Sequence, residues 1–238
     1  MFKIFEPYKD LVTLFSLKED GPMKITDDKR NFANRLKFLN KNNISEGDLY
    51  VGRLQHTNNV AVVKNRDSRM FSNCDGLVTN QPNTFLSFTV ADCTAVYLLD
   101  PENKAIGLLH AGWKGLKDEI IKNAIELMQA NFNSKSENIL VGISAIMCSK
   151  CYEVQPDFIS NFSNYPNAFI QRDNKIFFDS KNVILSQLSS LGIKENNIEF
   201  INECTYCLSD KYFSYRRDQY GCDPDDRNAM MAVFGIKH

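Results

Sequence analysis

Apolar and polar positions change period several times along the chain, and each change marks an element. Thr84 to Val90, Thr94 to Leu99 and Ala105 to Leu109 are short apolar or β-rich runs bounded by turn residues, which predicts strands. Asp100-Pro101-Glu102-Asn103 is turn chemistry, so the last two runs predict a hairpin. A hairpin runs out and back. It therefore sets Cys93, just before its first strand, and His110, at the end of its second, at the same sheet edge. The two glycines of Ala111-Gly112-Trp113-Lys114-Gly115 permit a tight turn and close backbone approach before a helix. That helix is predicted over Leu116 to Asn131, where Leu116, Ile120, Ile121, Ala124, Leu127 and Met128 make one apolar stripe.

The remaining pattern is weaker. Leu11 to Leu17 predicts a strand and Lys18 to Pro22 a turn. Thr26-Asp27-Asp28 predicts a helix start, followed by Phe32, Leu36 and Leu39 at helical spacing and by Lys41-Asn42-Asn43 at the end. Tyr50 to Gln55 and Val60 to Val63 predict two strands with His56-Thr57-Asn58-Asn59 at their junction. Leu77 to Thr79, Ile139 to Ile143, Ile198 to Ile201 and Ala229 to Phe234 predict further strands. Asp179 or Ser180 caps a second helix bearing Val183, Ile184, Leu188 and Leu191, closed by Gly192. Helices and strands alternate irregularly, with hairpins and without repeats or a Pro-, Gly- or Ser-rich linker. The expectation is an α/β fold, a single mixed-sheet layered domain over 1–238 with hairpins and flanking helices, rather than a regular parallel doubly wound sheet. No Gly-x-Gly-x-x-Gly or Walker loop is present, which argues against nucleotide folds of those types.

Composition narrows the partners more than the fold. The 238 residues are 43% apolar and 24% charged, with a formal net charge of -1, so no electrostatic footprint for nucleic acid or an anionic membrane is expected. No apolar run is long enough for a membrane span, and MFKIFEPYKD is too polar for a signal peptide, which predicts a cytoplasmic protein. Seven cysteines without a secretion signal predict reduced thiols used for packing, metal binding or chemistry.

His56, Cys93 and His110 offer two imidazoles and a thiolate. Zinc takes such ligands in tetrahedral geometry, and three protein ligands leave a fourth position for water or substrate. The three lie 37 and 17 residues apart with no compact motif joining them. On spacing alone the plainer reading is a packed thiol and two surface histidines. Asp92, beside Cys93, reads as a general acid or base, as a carboxylate orienting a ligand imidazole, or as a turn residue. Arg216-Arg217 reads as a phosphate anchor or as a structural salt bridge. Trp113 reads as a base-stacking surface or as a core plug. Cys148-x-x-Cys151 and Cys204-x-x-Cys207 together resemble two zinc knuckles; the 52 residues between them are many for a zinc ribbon, a single structural zinc is a lesser reading, and redox activity is disfavoured because neither pair starts a helix in a thioredoxin-like unit.

Asp92-Cys93 followed by His110-Ala111-Gly112-Trp113 resembles the signature of the YfiH-like laccase-domain family. Gln55-His56, Asp75-Gly76-Leu77-Val78-Thr79, Cys151-Tyr152-Glu153-Val154, Cys204-Thr205-Tyr206 and Tyr212-Phe213-Ser214-Tyr215-Arg216-Arg217-Asp218 resemble further boxes of that family in the same order, and Asn34-Arg35 fits its early helix. These proteins were first called multicopper polyphenol oxidases and are now described as zinc-dependent purine nucleoside phosphorylases with adenosine deaminase activity. The resemblance implies zinc held by His56, Cys93 and His110, with copper the lesser candidate. It also implies purine nucleosides and phosphate as substrates, Asp92 as a catalytic residue, and Lys114, Arg216 and Arg217 as substrate-binding residues.

Three departures stand out. Thr57 replaces a glycine, Lys114 replaces an arginine and so loses a bidentate fork, and the loop 143–150 lacks the family's glycines and prolines. Other readings are a copper oxidoreductase with Met70 or Met147 as axial partner, a cysteine hydrolase using Cys93 and His110, and a metal-binding protein without activity. Three histidines are too few to build a trinuclear copper cluster.

Overall fold

Strand alternation decides the architecture. In the run Thr84–Val90 (β6), Leu86 and Phe88 pack into one apolar cluster and Phe85 into another, because successive side chains leave opposite faces of a strand. Thr94–Asp100 (β7) does the same, with Val96 and Leu98 on one side and Ala95, Tyr97 and Leu99 on the other. Both strands are buried on both faces, and each lies inside a separate sheet.

The protein is represented by a computed structural model describing residues 2–25, 28–64, 68–223 and 227–237. Thr26 and Asp27 of the expected helix start, and His238, lie outside them. Among the described residues one sheet runs β1 (Leu11–Phe15), β14 (Met230–Ile236), β6, β2 (Leu49–Arg53), β4 (Met70–Ser72). A second runs β13 (Ile198–Phe200), β9 (Leu140–Ile143), β7, β8 (Ala105–Ala111), β5 (Gly76–Thr79), β3 (Val60–Val62). Both mix parallel and antiparallel pairs. A small third sheet joins β10 (Glu153–Val154), β12 (Lys175–Phe178) and β11 (Phe169–Arg172).

The two large sheets face each other across a core containing Tyr50, Phe88, Tyr97, Leu108 and Phe234. Helix α1 (Lys29–Lys41), capped by Asp28, covers the outer face of the first sheet through Phe38 and Leu39. Helices α3 (Ile120–Phe132) and α4 (Ser180–Ser190), the latter capped by Asp179, cover the outer face of the second. The mixed α/β layering expected from the sequence is present, and so is the expected central hairpin, with Ala95 opposite His110.

One expectation is corrected. The helix read over 116–131 is two helices, α2 (Trp113–Lys117) and α3, separated by Glu119 in the left-handed region at φ 60°. The break is held from outside: Asn58 Nδ2 donates to Asp118 O at 2.6 Å, and Asn123 Nδ2 returns a bond to Asn58 O at 3.0 Å. Local periodicity carries no trace of such a tertiary contact. The two strands expected on either side of His56 are present but lie in different sheets, β2 in the first and β3 in the second, so residues 54–59 cross between layers.

Gly52 in β2 marks how tightly that crossing begins, because a Cβ there would stand 1.9 Å from the Phe88 ring and 2.7 Å from Cys74 O. Gly52→Ala should therefore destabilise the fold by about 1–3 kcal/mol through overpacking. Phe88→Leu should recover only part of the loss, since the Cys74 carbonyl stays in place. Urea midpoints of the two single variants and the double variant check this.

Candidate metal centre and cavity

Asp75 sits at the start of β5 with its side chain fully buried, and a buried carboxylate needs donors. It receives backbone N–H bonds from Gln55 (3.1 Å), His56 (3.0 Å) and Thr57 (3.0 Å), and the Thr57 hydroxyl donates at 3.0 Å. These bonds wrap residues 55–57 around the carboxylate and hold His56 at φ 57°, a conformation costly for a residue with a Cβ. Asp75 Oδ1 also lies 2.9 Å from His110 Nδ1. One carboxylate thus fixes the His56 backbone and the His110 ring, and the bond to Nδ1 leaves His110 Nε2 facing Cys93.

The donor atoms of His56, Cys93 and His110 all lie within 4.8 Å of one another. The two rings stand edge to face with centroids 4.9 Å apart. Gly112 closes the cradle, because a Cβ there would stand 2.9 Å from Cys93 Sγ and 3.5 Å from each ring. Burial alone would raise the Cys93 thiol, but the neighbouring His110 and His56 outweigh it and bring the pKa to about 6. Burial alone would lower His110, but the Cys93 charge and the Asp75 carboxylate carry it up to about 9. Each group favours the charged form of the other, the thiol pulled down and the imidazole up. Two imidazoles and a thiolate, converging with one tautomer already fixed, are a donor set suited to a divalent transition metal.

A cavity of about 520 Å³ adjoins these three residues, and Trp113, Lys114, Tyr152, Tyr215 and Arg216 also line it. Asp92 lies on its wall at φ 75°, where the chain turns from β6 into β7. The Asp92 carboxylate accepts from Thr205 Oγ1 (2.7 Å), Ser214 Oγ (3.0 Å) and Arg216 N (2.7 Å), so its recorded partners come from the C-terminal segment. The carboxylate that contacts a candidate ligand imidazole is Asp75, which sequence reading saw only as part of a box.

Arg216 N–H is fixed by Asp92, its Nη1 donates to Glu153 O at 2.9 Å, and its guanidinium lies over Tyr152 at 5.5 Å. Arg217 does not line the cavity. Its guanidinium donates to the carbonyls of Thr205, Tyr206 and Tyr212 and to Asp218, bracing residues 205–212. Lys114 is exposed at the rim, and Trp113 packs edge to face on Phe158 at 5.1 Å while also lining the cavity. Asn34 and Arg35 of α1 bond Pro22 O and Lys24 O, which sets Lys24 into the cavity lining. Met147 lines the cavity and Met70 does not.

The chain as a whole is similar to known proteins. The sequence profile of the multi-copper polyphenol oxidoreductase laccase family matches residues 19–223. A purine nucleoside phosphorylase of Clostridium acetobutylicum is 33% identical over 172 residues, 71% of each chain. Another, of Borreliella burgdorferi, is 32% identical over 214 residues, 85% of this chain and 90% of that one. The crystal structure of the hypothetical protein YfiH from Bacillus licheniformis superposes with a TM-score of 0.89 at 25% identity, covering 98% of this chain and 95% of that one. YlmD from Geobacillus stearothermophilus shares the fold, also at a TM-score of 0.89, with 22% identity over 98% of this chain and 94% of its own. The chain belongs to the YfiH-like, laccase-domain family.

Asp75 offers a direct test of the site's frame. Burial would raise its pKa, but the bonds from His110, Thr57 and Gln55 prevail and hold it at about 2 against an ordinary 3.8. A carboxyl depressed in the folded state stabilises fully above its unfolded value, and that contribution fades as pH falls from about 4 towards 2. Asp75→Asn should cost roughly 2–4 kcal/mol at neutral pH, because an amide presents donors to donors in a buried site. The gap between wild type and variant should narrow below pH ~4 in melting experiments across pH.

Proposed function

We propose that the protein is a zinc-dependent purine nucleoside phosphorylase, and that the same cavity accepts adenosine for hydrolytic deamination. The observation that carries this reading is the meeting of a His56–Cys93–His110 donor set with Arg216, Lys114 and two tyrosine faces in one cavity. The names of the relatives support the substrate class.

Zinc bound by the three donors would supply Lewis-acid polarisation of an oxygen in the cavity. The chain's own part is binding and orientation. Arg216, its backbone and side chain both tied to the wall, presents a fixed cation for a phosphate oxyanion, and Lys114 adds a second charge from the rim. Tyr152 and Tyr215 offer flat surfaces for a purine, and burial pushes the Tyr152 phenol well up so that it stays protonated. Asp92 acts as a positioning residue, since it holds the backbone of Arg216 one residue from Cys93. Arg217 supports from behind by bracing the loop that carries Thr205, which in turn bonds Asp92. In the reaction a phosphate oxygen bonds to the anomeric carbon as the N-glycosidic bond breaks, and the purine leaves with the proton that the hydrogen phosphate gives up.

Inosine or adenosine incubated with phosphate should yield free base and ribose 1-phosphate, and adenosine should also release ammonia. Cys93→Ala should lower kcat/KM by roughly 100-fold or more, the scale of several kcal/mol of metal-derived charge stabilisation. Arg216→Ala should raise the phosphate KM roughly 10- to 100-fold while leaving metal content unchanged, the scale of lost charge-assisted hydrogen bonds. Metal-replete protein that leaves a panel of purine nucleosides intact would refute the assignment.

A further inference from the structure

The two Cys-x-x-Cys pairs lie apart in sequence but are carried by neighbouring strands. β9 and β13 pair in parallel, Phe200 opposite Ile143, so the loops leaving their C-terminal ends emerge side by side. Ile201 N–H bonds Ile143 O, Ile146 N–H bonds Glu203 O, and Thr205 N–H bonds Ile146 O, carrying the pairing past the sheet. Cys148 and Cys151 end one loop; Cys204 and Cys207 lie on the other. The 52 intervening residues form the small sheet and α4 and return the chain to the same edge.

All four sulfurs lie within 4.8 Å of one another. Cys148 and Cys151 Sγ are 3.6 Å apart, and Cys151 and Cys207 Sγ are 3.3 Å apart. Four thiolates at about 2.3 Å around one tetrahedral zinc would be spaced by about 3.8 Å, so the observed spread brackets that geometry. A cluster of several irons does not fit among sulfurs so close. Each pair sits on a tight turn, Cys151 N–H donating to Cys148 O at 2.9 Å and Leu208 N–H to Cys204 O at 3.1 Å. Cys148 N–H also donates to Cys204 Sγ at 3.3 Å, a bond across the two loops that favours sulfur in its anionic, ligating form. Three of the cysteines are half-buried and Cys207 is exposed, which leaves an entry path for a metal.

We infer that Cys148, Cys151, Cys204 and Cys207 bind one zinc ion, a structural site separate from His56, Cys93 and His110. It closes four ligands with no vacant position, and so ties two loops together without taking part in turnover. Both loops reach the cavity wall. Met147, next to Cys148, lines the cavity and donates its N–H to Asp92 O, and Thr205, next to Cys204, bonds the Asp92 carboxylate. The clamp thereby braces loop 143–150, which lacks glycines and prolines.

The test is metal analysis of protein purified under reducing conditions. The variant His56→Ala/Cys93→Ala, which keeps all four clamp cysteines, should retain one zinc per chain. Loaded with cobalt, it should show the intense thiolate-to-metal charge-transfer band of four-sulfur coordination. Cys148→Ser/Cys207→Ser in the wild-type background should lose one equivalent relative to wild type. Zinc-free His56→Ala/Cys93→Ala protein whose four thiols react at once with a thiol reagent overturns the inference. So does disulfide pairing among the four in mass spectra, or iron in place of zinc. These readouts count metal and sulfur ligands, so they stand or fall independently of nucleoside turnover.

Discussion

A carboxylate with no solvent exposure must be satisfied by the chain around it, and Asp75 is satisfied by the groups that build the candidate metal centre. Residues 55–57 curl around it to deliver N–H donors, and that curl forces His56 into a left-handed conformation. The His110 ring turns to meet it. The geometry of both histidines is thus a by-product of solvating one buried charge with backbone. Thr57 adds a hydroxyl bond that a glycine could not make, so a departure from the family pattern strengthens this frame.

Asp92 plays the matching part on the opposite wall. It too sits at positive φ, and its carboxylate gathers Thr205, Ser214 and the Arg216 backbone into one corner. Ser214 opens a five-residue π-turn through Tyr215–Gln219, a wide turn that sets Tyr215 and Arg216 on the cavity while Arg217 points to the loop behind. Two adjacent arginines with the same apparent promise in sequence therefore have different neighbours, one at the cavity and one in the scaffold.

The central hairpin was legible because both its strands are buried and its turn is chemically explicit, and that placed Cys93 and His110 together before any coordinates. α4 was legible for a similar reason, with Asp179 at one end and Gly192 at the other. What was illegible depends on contacts distant in sequence. Asn58 stabilises the break at Glu119 from sixty residues away, and no period in the chain records it. The small sheet and β4 are short and half-exposed, and lack the apolar runs that announce a strand. Asp75 gave no signal as the histidine-orienting group, since only the fold reveals that three backbone N–H groups and an imidazole converge on it. The two Cys-x-x-Cys pairs were legible as candidate zinc knuckles, but what brings them to one point, the parallel pairing of β9 with β13, was not.

The crossing of residues 54–59 from one large sheet to the other has a mechanical result. His110 rides on the second sheet, whereas His56 hangs on the strap between the two. The strap's N–H groups bond Asp75, which leads into β5 of that second sheet, so His56 is pinned to the layer that carries His110. A shift of the first sheet would therefore load the bonds to Asp75 before it drew one imidazole away from the other.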